Sequence, residues 1–403
     1  MDYCQPEFRN VHEEEISMRN SKLSRREMLI AGSATLATLT VLNTRFAAAA
    51  PLKQGEDVIP WLDQPDANPV PDVVGNQIVW EDVDSWITPP EQFFTVAHYG
   101  WPEIDPTTWE LTVDGMVDNP LTLTLDDLKA RPRKELTFTL ECAGNHGLPF
   151  FHGGIGNATW TGTPLAPILE EVEILDDGIE VVFFGVDQGE ETVRETTTVQ
   201  NFARSMSLAD AMHPDNLLCY EMNGDALPAV NGAPVRLIAP GWYGVANVKW
   251  LDRIEIWDTR YAGRFMAKDY VTVRQEGTEA NPNWTQSLVG RSLLKSAPAR
   301  VVSGADGVRI EGAAWGAPIR YVEVSINDGP WQRARLDRSQ RSEYAWTFWT
   351  YDWGNVRPGE HTVTSRAIDT RGQTQPPADD PRLTNKITYW ETNGQITRTI
   401  EIG

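Results

Sequence analysis

The sequence predicts an α+β domain with mixed sheets followed by an Ig-like β-sandwich domain, and three observations carry that reading. Between Phe93 and Trp257, strand-like apolar runs mix with brief helical stretches, without the regular βαβ beat of a doubly wound fold. From about Asn281 helical periodicity disappears and turn residues recur roughly every 8–12 positions. At 403 residues the chain exceeds what one core ordinarily serves, and 41% hydrophobic residues with 16 Trp can fill two.

The first 50 residues read as a leader. Ser24-Arg25-Arg26-Glu27-Met28-Leu29 precedes an apolar run from Met28 to Leu42 that is diluted by Thr, Ser and Gly. That run is shorter than the roughly 20 apolar residues a spanning helix needs, so no membrane span is expected. Ala47-Ala48-Ala49-Ala50-Pro51 offers a small-residue cleavage site, and paired arginines before such a run read as a twin-arginine export signal. The mature protein is therefore expected in the periplasm or another extracytoplasmic space. The acidic stretch ahead of Arg25, with Glu13-Glu14-Glu15, points to translation starting at Met18. Residues 51–92 are rich in Pro, Asp and Trp and read as an extended segment wrapping the surface.

In the first domain, Trp109 to Val113 and Leu121 to Leu125 form a strand, loop, strand pattern. Helical turns follow from Leu125 toward Pro132, from Leu165 to Glu171 and from Leu208 to Met212. Val181 to Asp187 and Leu217 to Tyr220 are buried strands. The loop after Cys142, with Gly147, Gly153, Gly154 and Gly156, runs on to Trp160. In the second domain, 281–403, the strands are Ile319 to Ile326, Tyr344 to Trp349 and His361 to Ile368. Asn327-Asp328-Gly329 forms a turn, and Asn393-Gly394-Gln395-Ile396 reads as a terminal hairpin.

The stretch that organises the first domain is Thr137-Phe138-Thr139-Leu140-Glu141-Cys142-Ala143-Gly144-Asn145-His146-Gly147. Four alternating residues deliver one thiol to a polar, glycine-containing turn, a rigid support for a metal or a reactive group. A small buried hydrophobe is the competing reading of such a cysteine. Glu141-Cys142-Ala143-Gly144-Asn145 after an apolar strand resembles the molybdenum-ligand loop of the sulfite oxidase family of molybdopterin oxidoreductases. Tyr220 to Pro228, Gly232 to Gly244 and Val248 to Leu251 match the same family in order and spacing. The similarity covers Phe93 to Trp257, and more weakly the C-terminal part. It implies a molybdopterin-binding domain over 93–265 and a second domain that makes a homodimer.

The resemblance also implies site residues. Cys142 would be the thiolate ligand of a molybdenum–molybdopterin cofactor, a soft donor for a redox metal. Cys219, inside an apolar strand, reads as inert core. Arg236 and Lys249 would hold the pterin phosphate, and His98 occupies the pterin-contacting histidine position. Asp187 and Asn247 are candidates for pterin hydrogen bonds. Three positions depart from the sulfite-oxidising pattern: Val96 and His146 stand where arginines are usual, and Phe202, three residues before Ser205, where a tyrosine is usual. Arg is the natural clamp for an oxyanion, so Arg204, His146 and His152 are the candidates to replace it.

The formal charge of −22 excludes nucleic acid and anionic membrane as partners and suits a cationic protein. With only Cys4, Cys142 and Cys219, the chain has no haem-attachment site, iron–sulfur set, zinc quartet or disulfide framework. Oxidation of a small sulfur substrate would leave two electrons to pass to a separate c-type cytochrome. A sulfoxide reductase of the same fold is the runner-up. A metal-free hydrolase with Cys142 as nucleophile and His146 or His152 as base is a second class. An extracellular binding module would leave the Cys142 loop and the arginine pair without a use.

Overall fold

A computed structural model describes residues 52–278 and 280–403. The arginine pair, Met18 and Cys4 lie outside the described residues. The fold is mostly sheet. Among the described residues the longest α-helices, Leu125–Ala130 and Ala166–Glu171, have 6 residues each, so the α+β expectation overstates the helical share. Helices this short do not hold themselves together. Leu125–Ala130 is fixed by a capping box in which Thr124 and Asp127 exchange side-chain to backbone bonds, and it buries Leu128.

Two sheets build the part of the chain that carries the motifs. In one, Lys134–Glu141 pairs with Ile155–Pro164, which pairs with Leu217–Met222, which in turn pairs with Arg236–Ile238, all antiparallel. This places the end of the cysteine strand and the start of the arginine strand in one sheet. The other sheet runs Leu121–Thr124, Glu110–Gly115, Leu251–Trp257, Glu180–Val193, Thr196–Ser207. It is mixed, because Glu110–Gly115 and Leu251–Trp257 are parallel. Leu111, Val113, Phe183, Ile254 and Ile256 of this sheet pack with Leu165, Ile168 and Leu169 in one core. Phe138, Leu140, Trp160 and Cys219 pack with Phe93 and Phe94 in another. Cys219 is fully buried there, as inert core should be.

Further along, a five-stranded antiparallel sheet, including Lys295–Gly304 and Gly307–Trp315, shares a core with a four-stranded one containing Ile319–Ile326, Gly359–Asp369 and Ile396–Ile402. The segment ahead of residue 93 threads between these regions. Asp57–Ile59 extends the five-stranded sheet beside Lys295–Gly304. Trp86 and Trp346 each donate an indole N–H to the other's carbonyl.

Several sequence readings are corrected. Ile155–Pro164 is a strand, not loop. Its glycines permit close approach: a Cβ at Gly162 would lie 2.2 Å from the Leu218 carbonyl oxygen, and one at Gly156 2.6 Å from the Phe93 ring. Asn393 to Gln395 makes no hairpin. Ile396–Ile402 instead pairs with Gly359–Asp369, while Gln375 holds the Gly394 carbonyl. The strand expected over Tyr344 to Trp349 is Thr347–Gly354. A hairpin of Val271–Thr278 and Asn281–Leu288 joins the two regions, so Asn281, where the composition changes, falls inside an element. The Asn327-Asp328 turn has both residues at positive φ, as the tight hairpin turn requires.

Candidate active site

Cys142 follows directly on Lys134–Glu141 and lines a cleft. Its loop is tightly specified. Cys142 N–H donates to the Gly154 carbonyl at 2.8 Å, Asn145 N–H to the Cys142 carbonyl at 3.0 Å, and Gly147 N–H to the Gly144 carbonyl at 2.9 Å. Asn145, fully buried, donates to Glu141 Oε1 and accepts from Gly154 N–H. The thiol is 8% exposed, and burial pushes its pKa up to about 12, with the Gly144 N–H acting the other way. As a free thiol it stays protonated at neutral pH, and only a metal in the proton's place would make it a thiolate.

Six of the nine sequence-predicted site residues share this cleft: Cys142, His98, Asp187, Arg236, Asn247 and Lys249. Arg236 is 3% exposed, lies over the Trp160 ring, and donates Nη1 to the Asn231 carbonyl at 2.8 Å and Nη2 to the Asn247 carbonyl at 3.0 Å. Burial lowers its pKa to about 10. Lys249 Nζ donates to the Val96 carbonyl at 2.8 Å. Burial lowers Lys249 to about 7 and raises Asp187 to about 6, while the charge of each holds the other back from shifting further. His98 Nε2 is 2.7 Å from Tyr270 Oη, and its ring stacks between Phe202 and Phe265. That enclosure, with the charges of Lys249 and Arg264, lowers the His98 pKa and keeps it neutral.

Three predicted residues are placed elsewhere, and a fourth is used differently. Arg204 is buried with Nη1 on the Phe265 carbonyl and Nη2 on the Val289 carbonyl, so it braces residues around the cleft and is not among those lining it. His146, at φ 62°, stacks on His152 at 5.2 Å and packs against Trp80, outside the cleft lining. Neither histidine therefore replaces the missing arginines. The cleft's own imidazole is bonded to a phenol, not to the thiol, which removes the basis for the Cys142 hydrolase. Asn247 lines the cleft, but its amide is spent on Ala239 N–H and the Tyr243 carbonyl, shaping the Gly241 to Gly244 turn.

Sequence reasoning missed Asn231 and Tyr270. Asn231 stands immediately before the Gly232 motif and could have been found by extending it by one residue. Tyr270 lies between the two regions read as domains and carries no local signal.

Residues 98–265 match the oxidoreductase molybdopterin binding domain family. The chain is 33% identical over 327 residues to Homo sapiens mitochondrial sulfite oxidase, matching 73% of this chain and 58% of that protein. It is 30% identical over 330 residues to Gallus gallus sulfite oxidase, matching 74% of this chain and 70% of that protein. The chain belongs to the sulfite oxidase family. Among solved structures, the sulfane dehydrogenase SoxCD of Paracoccus pantotrophus superposes with a TM-score of 0.69 at 25% identity, over 87% of this chain and 91% of that one.

The cleft fits the molybdopterin cofactor of the family. Three buried polar atoms along it have no hydrogen-bond partner: Arg236 Nε, Asn231 Oδ1 and Asp187 Oδ1. One donor beside a positive charge and two acceptors suit an anionic group and a ring with N–H groups. An apolar ligand would leave all three unpaired.

Proposed function

We propose that the chain is an exported molybdenum oxidoreductase. In this reading it oxidises a small sulfur compound by oxygen-atom transfer and passes the electrons to a separate c-type cytochrome. The observation that carries the proposal is a single buried thiol lining a cleft that also presents unpaired groups for a charged heterocycle. Arg236 and Lys249 would hold the phosphate, with Asp187 and Asn231 accepting from the pterin ring and Cys142 ligating the metal. When bound, the cofactor supplies the two-electron redox chemistry. The sulfur gains one oxygen from water, and two protons and two electrons leave, one electron to each of two cytochromes.

The chain's own residues shape the substrate end. Phe202 and Phe94 line it, and Tyr270, whose pKa burial raises well above its usual value, stays a neutral phenol braced by His98. With Val96 and Phe202 where an oxyanion clamp would be expected, this lining favours a neutral sulfur compound over sulfite. The same lining admits a sulfoxide, and hence the reverse reaction. Among the described residues no helix is long and apolar enough to cross a membrane. The two C-terminal sheets, which share one core, support the Ig-like reading, and a homodimer made through them is part of the same proposal.

Steady-state assays of the purified full chain should show cytochrome c reduction with a neutral sulfur donor such as a dialkyl sulfide, and slower or no reduction with sulfite or thiosulfate. Fast sulfoxide reduction by a reduced dye, with none of these donors oxidised, would reverse the assignment.

A further inference from the structure

Directly behind Cys142 lies a polar cluster that the reaction as described does not use. Glu141, the residue before the thiol, is fully buried, and both of its carboxylate oxygens are engaged. Oε1 accepts from Lys295 Nζ at 2.6 Å and from Asn145 Nδ2 at 3.0 Å, and Oε2 accepts from Trp315 Nε1 at 2.8 Å. Lys295 is 1% exposed and also reaches the Asn145 carbonyl at 3.4 Å. Lys295 and Trp315 come from far along the chain, yet they are directly opposite partners on Lys295–Gly304 and Gly307–Trp315. One rung of the C-terminal five-stranded sheet thus forms a two-pronged donor around the carboxylate next to the thiol. A second grip comes from Glu391, whose N–H donates to the Ala143 carbonyl at 2.8 Å.

We propose that Lys295 and Trp315 are positioning residues for the metal ligand: the C-terminal sheet locks the Cys142 loop in its ligating geometry through Glu141. The inference rests on Cys142 as the molybdenum ligand. The physical ground is that a fully buried carboxylate is costly once its counter-charge is removed, even with Asn145 and Trp315 still donating to it. Removing the ammonium leaves Glu141 to seek water or a proton by moving, and the peptide unit it shares with Cys142 moves with it. A pair that served only to join the two regions could have been placed anywhere along their contact. This one is adjacent to the thiol.

The test uses the full chain, with and without cofactor, and reads native-state iodoacetamide labelling of Cys142 against Cys219 by mass spectrometry. Cys219 is fully buried in a strand of the same sheet as Lys134–Glu141 and serves as an internal control. Lys295→Met should raise the Cys142 labelling rate of the cofactor-free chain roughly tenfold or more while leaving Cys219 unchanged, as local opening predicts. With cofactor, it should also weaken the metal–thiolate absorption relative to the parent. A general loss of stability would raise both labelling rates together and overturn the proposal, as would a parental rate at Cys142. Should Lys295→Met not fold, Trp315→Phe decides. It keeps the aromatic volume and removes one N–H, so a smaller rise confined to Cys142 is expected and no rise refutes. A parent without molybdenum would instead remove the underlying reading, whatever the variants do.

Discussion

Arg236 offers a prediction that separates holding the cofactor from holding the fold. Its guanidinium has five N–H donors. Two carbonyls, of Asn231 and Asn247, take one from each terminal nitrogen, and the buried Nε is left unpaired. Replacing Arg236 by Met keeps apolar contact with Trp160 and removes the charge. In the cofactor-free chain the two carbonyls lose donors, at about 1–3 kcal/mol each. Against this, a cation that burial has already disfavoured disappears: the fall of its pKa to about 10 corresponds to roughly 3 kcal/mol. These effects nearly cancel, so the melting temperature of the cofactor-free chain should change little. With cofactor, the variant loses at least one charge-assisted bond of about 1.5–3 kcal/mol, a roughly 10- to 150-fold weaker hold. Molybdenum and pterin retained per chain after extended gel filtration measure this directly. Parental retention by a folded Arg236→Met variant would refute the placement of the phosphate beside Arg236.

Asp187 gives a pH signature in the cofactor-free chain. Its carboxyl sits near 3.8 when unfolded and is raised to about 6 by burial, so the folded state binds more protons between those values, and its contribution to stability falls as pH rises through that window. Asp187→Asn should therefore gain about 1–3 kcal/mol over the parent at pH 7, with the gap closing toward pH 4 in denaturant titrations. An equal gap at both pH values would contradict this. Gly162→Ala would drive a Cβ to 2.2 Å from the Leu218 carbonyl oxygen, across the pairing that supports the cysteine strand. It should cost about 3 kcal/mol or more, read as a lowered unfolding midpoint. Because the chain carries a formal charge of −22, the proposed reduction of a cationic cytochrome should slow roughly tenfold or more between low and moderate salt. A salt-independent rate would remove electrostatic steering.

Much of the cleft was legible because its residues lie in short motifs whose turns demand particular residue types. Cys142, Arg236 and Lys249 each sit beside glycines that let the backbone close in. What failed has physical causes. The glycines of Ile155–Pro164 resemble loop signals, yet they are there because Phe93 and the Leu218 backbone press against the strand. Thr196–Ser207, to which the sequence assigns no element, is polar with only its far half buried, and it is a strand by pairing with Glu180–Val193. Arg204 and His146 are of the right type for oxyanion binding, but sequence gives no direction to a side chain. One is spent on two carbonyls and the other is stacked away from the cleft. Tyr270 and Lys295 act across long separations, and no local pattern marks them.

In the proposed holoenzyme one sulfur atom, on Cys142, ties the metal to this cleft. Elemental analysis of the purified full chain beside Cys142→Ser, both made where the cofactor is synthesised, tests it most directly. The account predicts about one molybdenum per parent chain and a large loss of metal and turnover in the folded variant. A parent without molybdenum, or a serine variant equal to it in metal and rate, would contradict the account.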